Sequence, residues 1–457
     1  MRIDAPRALD RTDPRWCAAL IVAALAIRLV WVLTVDTGFG AFSDPQWYFV
    51  TAKNLAHGDG LTTTKITGLG HVAGPGGAET LRWPVGYSLS LAVFFKIFGA
   101  TVMTGKIVNA VAGAATVPLV YLVARRIFDR RVAITAGALA VIYPAHVIWS
   151  SVYYSDLLFS FAFSAALVVL LYAGARPSWR QALAFGLLLG YAAIIRPTAI
   201  VLLLPAAIYW LAAAGPRRLP IAPVAIALAG VLLWLAPISA WNSIRTGSPK
   251  LISENLGYNL RIGHAPYSTG RYVFPADLWA TVPPLTPGDA LPNEGLATRR
   301  AIRYAATHPL REVELSARKV FYLYTTDSDA MVWASTFGTR PIWDSRALTV
   351  RLSDLCALAA YAVLVLAIAS MPLTFGRRRE LVLLWLTLAV WTATHIVFFG
   401  EPRYRLPLLP ILLTFAAVSL VQLADLARGP LRVRDGGPQD GDLAQSPEPM
   451  RQTGDPQ

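Results

Sequence analysis

Long apolar runs, separated by short connections that carry arginine, dominate this chain. Runs suited to membrane-crossing helices lie at about 17–35, 106–124, 132–152, 156–175, 180–196, 197–214, 219–241, 352–373, 380–400 and 405–427. A crossing helix needs roughly 20 apolar residues to traverse about 30 Å of hydrocarbon. One further run, 85–99, is shorter and contains Lys96, so it reads either as a span or as a helix lying in the interface. The pattern predicts an all-α polytopic membrane protein, a bundle of about ten or eleven transmembrane helices. Two long polar segments interrupt it, at about 36–105 and 242–351. Within them, 44–58 reads as a juxtamembrane helix, and 296–324 reads as an amphipathic helix broken near His308-Pro309. No internal repeat and no inverted-repeat symmetry is evident.

Charge decides the side of each connection. With a cytoplasmic N-terminus and a non-crossing 85–99, the basic connections all fall inside: Arg125, Arg126, Arg130 and Arg131; Arg176 and Arg180; Arg217 and Arg218; Arg377 to Arg379; and Arg428, Arg432 and Arg434. If 85–99 crossed, every later connection would invert and the rule would fail at each. The expectation is therefore ten spans and a juxtamembrane helix, with both long loops outside and Arg196-Pro197 forming a tight outer turn. Residues 1–430 form one membrane domain, and 431–457, rich in Gly, Pro, Asp and Gln, read as a disordered cytoplasmic tail. The first run has no convincing small-residue cleavage site and reads as a retained span.

Composition agrees, at 55% hydrophobic and 15% charged residues with a mean hydropathy of +0.49. The net charge of +14 is spread in topology-setting clusters rather than a basic groove, which argues against a nucleic-acid partner. Cys17 and Cys356 lie in or beside apolar runs, and the six histidines show no ligand spacing. The chain has no Gly-rich phosphate loop, so a cytosolic nucleotide site is not expected.

Reactive side chains gather at the predicted outer helix ends. The first loop opens Phe42-Ser43-Asp44-Pro45-Gln46-Trp47-Tyr48. Asp before Pro suits a helix start, with Tyr48, Ala52 and Leu55 on one face and Gly58 as the stop. The same Asp44 carboxylate, held at a membrane surface, could act as a general base toward an acceptor hydroxyl. Glu79 and Arg82 precede Pro84; they read as a surface ion pair or, for Arg82, as a ligand for an anionic head group. Asp156 opens the 156–175 run, either as a cap or as a site residue. Arg196 reads as a snorkelling side chain at a helix end.

In Gly400-Glu401-Pro402-Arg403-Tyr404-Arg405-Leu406-Pro407, the two arginines sit at the positive end of the last helix and oppose its dipole. A lipid phosphate would relieve that opposition; Glu401 as their partner is the alternative. In a regular helix positions 403 and 405 point about 200° apart, whereas in an extended lead-in, which the prolines favour, they share a face.

Ordered pieces of the chain resemble the GT-C superfamily of integral-membrane glycosyltransferases, particularly family 39 with its protein mannosyltransferases and the lipid A aminoarabinose transferase. These pieces are Ser43-Asp44 with Tyr48 and Gly58-Asp59-Gly60; Arg82-Trp83-Pro84-Val85-Gly86-Tyr87 with Phe98-Gly99; Ala124-Arg125-Arg126-Ile127-Phe128; Tyr154-Ser155-Asp156; Gly190 to Arg196-Pro197; Trp241-Asn242 with Gly247; and Arg403-Tyr404-Arg405-Leu406-Pro407 with Pro410. Asp44 is followed by Pro45, where many relatives carry two adjacent acidic residues. The resemblance implies a bacterial plasma-membrane hexosyl- or pentosyltransferase. Its donor would be a polyprenyl-phosphate sugar and its acceptor an envelope lipid, glycan or protein, with the site on the extracytoplasmic face.

The resemblance also assigns roles. Asp44 would be the catalytic base of an inverting displacement. Arg403, Arg405 and Arg82 would stabilise the leaving phosphate. Glu79, Asp156 and Tyr404 would complete the substrate site, and a divalent metal is left open. The alternative reading is a transporter or flippase of a lipid-linked substrate, for which repeats and deeply placed ionisable residues would be expected. A non-catalytic assembly factor would have no use for the outer arginine pair.

Overall fold

The computed structural model describes residues 9–35, 38, 39, 44–63, 78, 79, 83–214, 221–246, 249–253, 255–280, 293–336, 344–375 and 378–428. The expected tail, 431–457, lies outside them. The chain runs α1 (Asp13–Thr34), α2 (Asp44–His57), the paired strands β1 (Thr62–Thr63) and β2 (Ala78–Glu79), α3 (Gly86–Phe98), α4 (Val102–Ile127), α5 (Arg130–Ile142), α6 (Pro144–Ile148), α7 (Asp156–Ala173), α8 (Trp179–Ile195), α9 (Leu203–Ala214) and α10 (Ile221–Thr246). It continues through α11 (Leu256–Gly263), α12 (Ala276–Trp279), α13 (Glu294–Thr307), α14 (Pro309–Leu323), α15 (Asp329–Thr336), α16 (Arg346–Ala369), α17 (Met371–Thr374), α18 (Arg379–Val397) and α19 (Leu409–Ala427). The fold is that of an all-α polytopic membrane protein.

Among the described residues, seven helices are long and apolar enough to cross a membrane: α1, α4, α7, α10, α16, α18 and α19 with its lead-in. α5 and α6 make an eighth if that pair, bent by 52°, is one span. The expected ten or eleven spans are thus seven or eight of full length, with Gly86–Phe98, Trp179–Ile195 and Pro197–Ala212 as shorter apolar helices. The shorter helices follow local signals. Arg196 adopts an extended conformation before Pro197 and separates the 180–196 and 197–214 runs, as their expected turn anticipated. α3 has 13 residues, about 20 Å of helix against the roughly 30 Å of hydrocarbon. Its exposed side chains include Val93, Phe94, Ile97 and Phe98.

Burial orders the bundle. In the last span, which includes the lead-in to α19, 83% of the apolar window is buried, against 17% in α10. α19, α4 and α7 therefore make the centre, and α1, α10 and α16 turn much of their apolar surface outward. Gly186 and Gly190 let α8 lie directly against α10. A Cβ on Gly186 would stand 2.1 Å from the Ala227 carbonyl oxygen, and one on Gly190 2.9 Å from Val231 Cα. Small residues spaced by four serve helix contact where apolar surface alone does not distinguish protein from lipid.

Proline chemistry explains a buried arginine. A helix running through residue 144 would bond its N–H to the Ala140 carbonyl, but Pro144 has no N–H. The freed Ala140 oxygen receives Arg28 Nη2 at 3.5 Å, and that nitrogen also meets His146 Nδ1 at 2.7 Å. Arg28, fully buried on α1, is thus an ionisable group inside a span that the sequence pattern did not single out. At the bundle end that carries the start of α1, Asp13 accepts hydrogen bonds from Arg125 Nε at 3.0 Å and Tyr121 at 2.5 Å.

The loop helices form where patterning placed them. α2 stops at Gly58, whose φ of +93° suits glycine. The α13–α14 pair breaks at His308-Pro309. α2 packs on α3 through Thr51 Oγ1 and Ser88 Oγ, 2.7 Å apart. Replacing Gly186 by leucine is expected to cost about 1–3 kcal/mol through forced separation of α8 and α10, read as a lowered melting temperature of the purified protein; an unchanged melting temperature would refute the close contact.

Candidate functional site

Four helix ends converge on one cluster: the start of α2, the start of α7, the end of α8 and the turn leading into α19. The segment before α7 is held from below. Asn109 of α4 donates through Nδ2 to the carbonyls of Val152 at 2.9 Å and Tyr154 at 3.3 Å. Tyr87 of α3 donates to Asn109 Oδ1 at 3.0 Å. These bonds hold Tyr154, Ser155 and Asp156 where the chain enters α7. Arg196, in its extended position after α8, donates Nη2 to Asp156 Oδ2 at 2.6 Å and Nε to Ser155 Oγ at 3.3 Å. Its guanidinium lies 5.5 Å from the Tyr404 ring centroid and 5.6 Å from that of Phe159. Asp156 is 2% exposed, and its Oδ1 has no hydrogen-bond partner among the described residues. A buried carboxylate oxygen left this way retains unused capacity to accept a hydrogen bond.

Arg403 stands beside this pair. Its guanidinium lies over Tyr154 at 4.9 Å and Tyr404 at 5.2 Å. Among the described residues it makes no ion pair within 4.0 Å and no hydrogen bond. Aromatic faces hold the cation in place while leaving its N–H donors for another acceptor. Tyr404 is fixed in turn by Trp391, whose indole donates to its carbonyl at 2.9 Å. Asp44, at the first position of α2, lies near enough to act electrostatically on both Tyr48 and Tyr154. Burial, with the Asp44 charge adding to it, pushes the Tyr48 phenol above its ordinary range and keeps it a neutral donor.

The structure thus brings Asp44, Asp156, Arg403 and Tyr404 together. It takes Arg405 elsewhere. The lead-in at Pro402–Leu408 is a 3-10 turn rather than an extended strand. At about 120° per residue, positions 403 and 405 diverge instead of sharing a face. Arg405 points inward: Nη2 meets Asp327 Oδ1 at 2.5 Å, and Nη1 donates to the carbonyls of Thr325 at 2.9 Å and Leu323 at 3.2 Å. Tyr143, at the bend between α5 and α6, donates to the other Asp327 oxygen. Arg405 therefore serves a buried clamp, not an anion site. Glu79 contributes its backbone to the strand pair opposite Thr62. Its side chain, and all of Arg82, lie outside the described residues.

Three partners escaped sequence reasoning. Arg196 looked like a snorkelling end residue, although Ser155-Asp156 and Arg196-Pro197 were both predicted at outer ends and could have been paired on that ground. Tyr154 gave no signal beyond its neighbours. Asp329, on α15, and Glu401 both face Arg271, at 3.6 Å and 3.3 Å. Burial and then the Glu401 charge push the Asp329 carboxyl up to about 7. Among the described residues, no group of three or more His, Cys, Asp or Glu is placed to hold a metal ion.

Residues 83–242 match the family described as dolichyl-phosphate-mannose-protein mannosyltransferase. No curated relative matches the chain. The structure is similar to the Archaeoglobus fulgidus oligosaccharyltransferase solved in complex with Zn and sulfate, at 15% identity and a TM-score of 0.50 over 90% of this chain and 49% of that one. The chain thus spans about half the length of that enzyme. The archaeal oligosaccharyltransferase AglB from Archaeoglobus fulgidus, in complex with an inhibitory peptide and a dolichol-phosphate, aligns at 14% identity and a TM-score of 0.48, over 92% of this chain and 52% of that one. ArnT from Cupriavidus metallidurans bound to undecaprenyl phosphate aligns at 16% and 0.40, over 92% of this chain and 80% of that one. The family match and the shared fold bear out the resemblance to the GT-C integral-membrane glycosyltransferases.

The two arginines should separate experimentally. Arg405→Met strands Asp327 in a dry interior and is expected to destabilise the protein by about 3–5 kcal/mol. Arg403→Met should leave the melting temperature nearly unchanged. Equal thermal shifts would contradict the division of roles.

Proposed function

We propose that this GT-C-type chain transfers a sugar from a polyprenyl-phosphate donor to an acceptor hydroxyl on the extracytoplasmic side of the plasma membrane, with Asp44 as general base. The observation that carries this reading is the pairing of opposites within one cluster: a carboxylate at the start of α2 and an aromatic-backed guanidinium, Arg403, both acting on Tyr154, the guanidinium with no carboxylate bound among the described residues. A glycosyl displacement from a lipid phosphate needs both. The base removes a proton from the attacking hydroxyl. The cation meets the negative charge that grows on the departing phosphate.

The remaining groups fit the same reaction. Tyr404 backs both Arg196 and Arg403. Asp156, already neutralised by Arg196 on one oxygen, offers the other to a sugar or acceptor hydroxyl. The description of the matched family supports a dolichyl- or polyprenyl-type donor. The sugar, hexose or pentose, and the acceptor, whether envelope lipid, glycan or protein, follow from contacts that the donor and acceptor themselves would make. Glu79 and Arg82 in the first loop are proposed to contribute to donor binding, as the resemblance implies, and a divalent metal is left open.

Asp44→Asn preserves size and removes the base. In native envelope membranes supplied with labelled polyprenyl-phosphate sugar, transfer is expected to fall by about two to four orders of magnitude, while the purified variant keeps its melting temperature. Undiminished transfer would sink the mechanism.

A further inference from the structure

The second long loop carries a helix whose apolar residues point both ways. α14 turns Leu315, Lys319 and Leu323 fully inward. Leu310, Val313, Ala317 and Phe321 recur at helical spacing within one narrow sector, and that sector points outward. Leu310 is 87% exposed, Val313 70% and Phe321 62%. A loop helix surrounded by water would hold one apolar stripe, packed against the protein. The second stripe needs a partner of its own, and the proposed reaction does not use it.

The place of α14 in the fold says what that partner is. Lys319 donates to the Ile396 carbonyl at 2.9 Å and so caps the end of α18, one of the full-length spans. Tyr324, just past the last turn of α14, meets the Thr392 hydroxyl of α18 at 2.8 Å. Thr392 precedes the last residue of that span, Val397, by five residues, about 8 Å along the helix axis. Thr325 meets Tyr361 of α16, a second span, at 3.3 Å. The end of α14 thus lies at the level of two spans, beside apolar side chains that they expose, Tyr361 and Val397.

Cations border the stripe. Arg311 and Arg318 share a single acid, Glu314. Arg299 and Arg303 of α13 are exposed and, among the described residues, make no ion pair. Four arginines against one glutamate leave the exposed sides of α13 and α14 with a surplus of three positive charges. An outward apolar sector edged by arginine, on a helix fixed to the end of a span, suits the boundary between acyl chains and head groups. The surplus charge favours head groups that are anionic.

We propose that α13 and α14 rest on the membrane leaflet at the candidate-site end of the bundle, with Leu310, Val313 and Phe321 among acyl chains and Arg299, Arg303 and Arg318 at anionic phospholipid head groups. This contact stands apart from the chemistry assigned to Asp44 and Arg403. It bears on the site through the chain: α14 leads into the segment whose Leu323 and Thr325 carbonyls receive Arg405, so a lipid-seated α14 steadies one side of the buried clamp.

The test attaches a bimane fluorophore at Val313→Cys in the full chain carrying Cys17→Ser and Cys356→Ala. The protein is held in nanodiscs of mixed phosphatidylcholine and phosphatidylglycerol, with bromine on the acyl chains of one lipid or the other. Brominated lipid quenches a fluorophore that it touches, and acrylamide quenches one that water reaches. Brominated lipid is expected to quench and acrylamide to be excluded. At equal bromine content phosphatidylglycerol should quench more strongly than phosphatidylcholine, because each arginine at the surface favours an anionic lipid by about fivefold. Arg299→Gln, Arg303→Gln and Arg318→Gln combined should abolish that preference and leave the quenching by brominated phosphatidylcholine. Quenching by acrylamide alone would place the stripe in water, and protection from both quenchers would mean that a protein covers it; either result overturns the proposal. Equal quenching by the two lipids, or a preference that survives the triple substitution, overturns the anionic contact. Leu310→Cys gives the same reading if the label at Val313 lowers the melting temperature.

Discussion

The Arg405 guanidinium and the Asp327 carboxylate meet at 2.5 Å with side chains only 2% and 3% exposed. In so dry a setting each is costly without the other, so the pair contributes direction more than net stability. It joins three distant parts of the chain: the turn into α19, the connection between α14 and α15, and, through Tyr143, the bend between α5 and α6. The turn that carries Arg403 and the segment that carries Asp329 are both anchored by this clamp. Two residues before Arg405 is Arg403, and two residues after Asp327 is Asp329. The inner pair locks the two segments, and the outer pair is thereby brought to the edge of the cluster, where each acts on the other.

The 3-10 turn makes that division possible. An extended lead-in would have put Arg403 and Arg405 on one face, and two cations would then have competed for the same carboxylates. A three-residue repeat splits them, so one arginine is consumed by structure and the other is left over aromatic rings. Trp391 supports the turn through the Tyr404 carbonyl, and Glu401 ties its beginning to the Arg271-Tyr272 segment. The site is therefore built by the ends of helices whose middles are packed for other reasons. α4 contributes Asn109, which reaches across to hold the approach to α7.

Proline is used repeatedly to end or bend helices where polar groups must be placed. Pro45 follows Asp44, Pro197 follows Arg196, Pro402 precedes Arg403, and Pro144 frees the carbonyl that Arg28 occupies. Pro45 and Pro402 sit at helix starts, where an N–H would have no partner, and Pro144 breaks the ladder outright, so the Ala140 carbonyl it frees needs a partner. Arg28 supplies it. The polar content of the bundle is thus concentrated at interruptions, while helices such as α10 and α16 carry apolar surface outward.

Much of this architecture was determined by the sequence itself. Apolar runs located the helices, Gly58 and Pro309 marked loop-helix boundaries, and the charge of the connections argued against a crossing by the 85–99 run. The same local signals put Asp44, Asp156, Arg196 and Arg403 at helix ends. What only the tertiary structure decided is which of them meet. Pairing Asp156 with Arg196 requires the ends of α7 and α8 to be side by side, and the fate of Arg405 depends on an acid almost eighty positions away in the chain. Helix location is a local property, governed by hydrophobic length and chain breakers. Charge pairing is not: it depends on which helix ends adjoin and on a backbone rotation of about 120° per residue through one short turn. That rotation separates an arginine that holds the fold from one left facing the site.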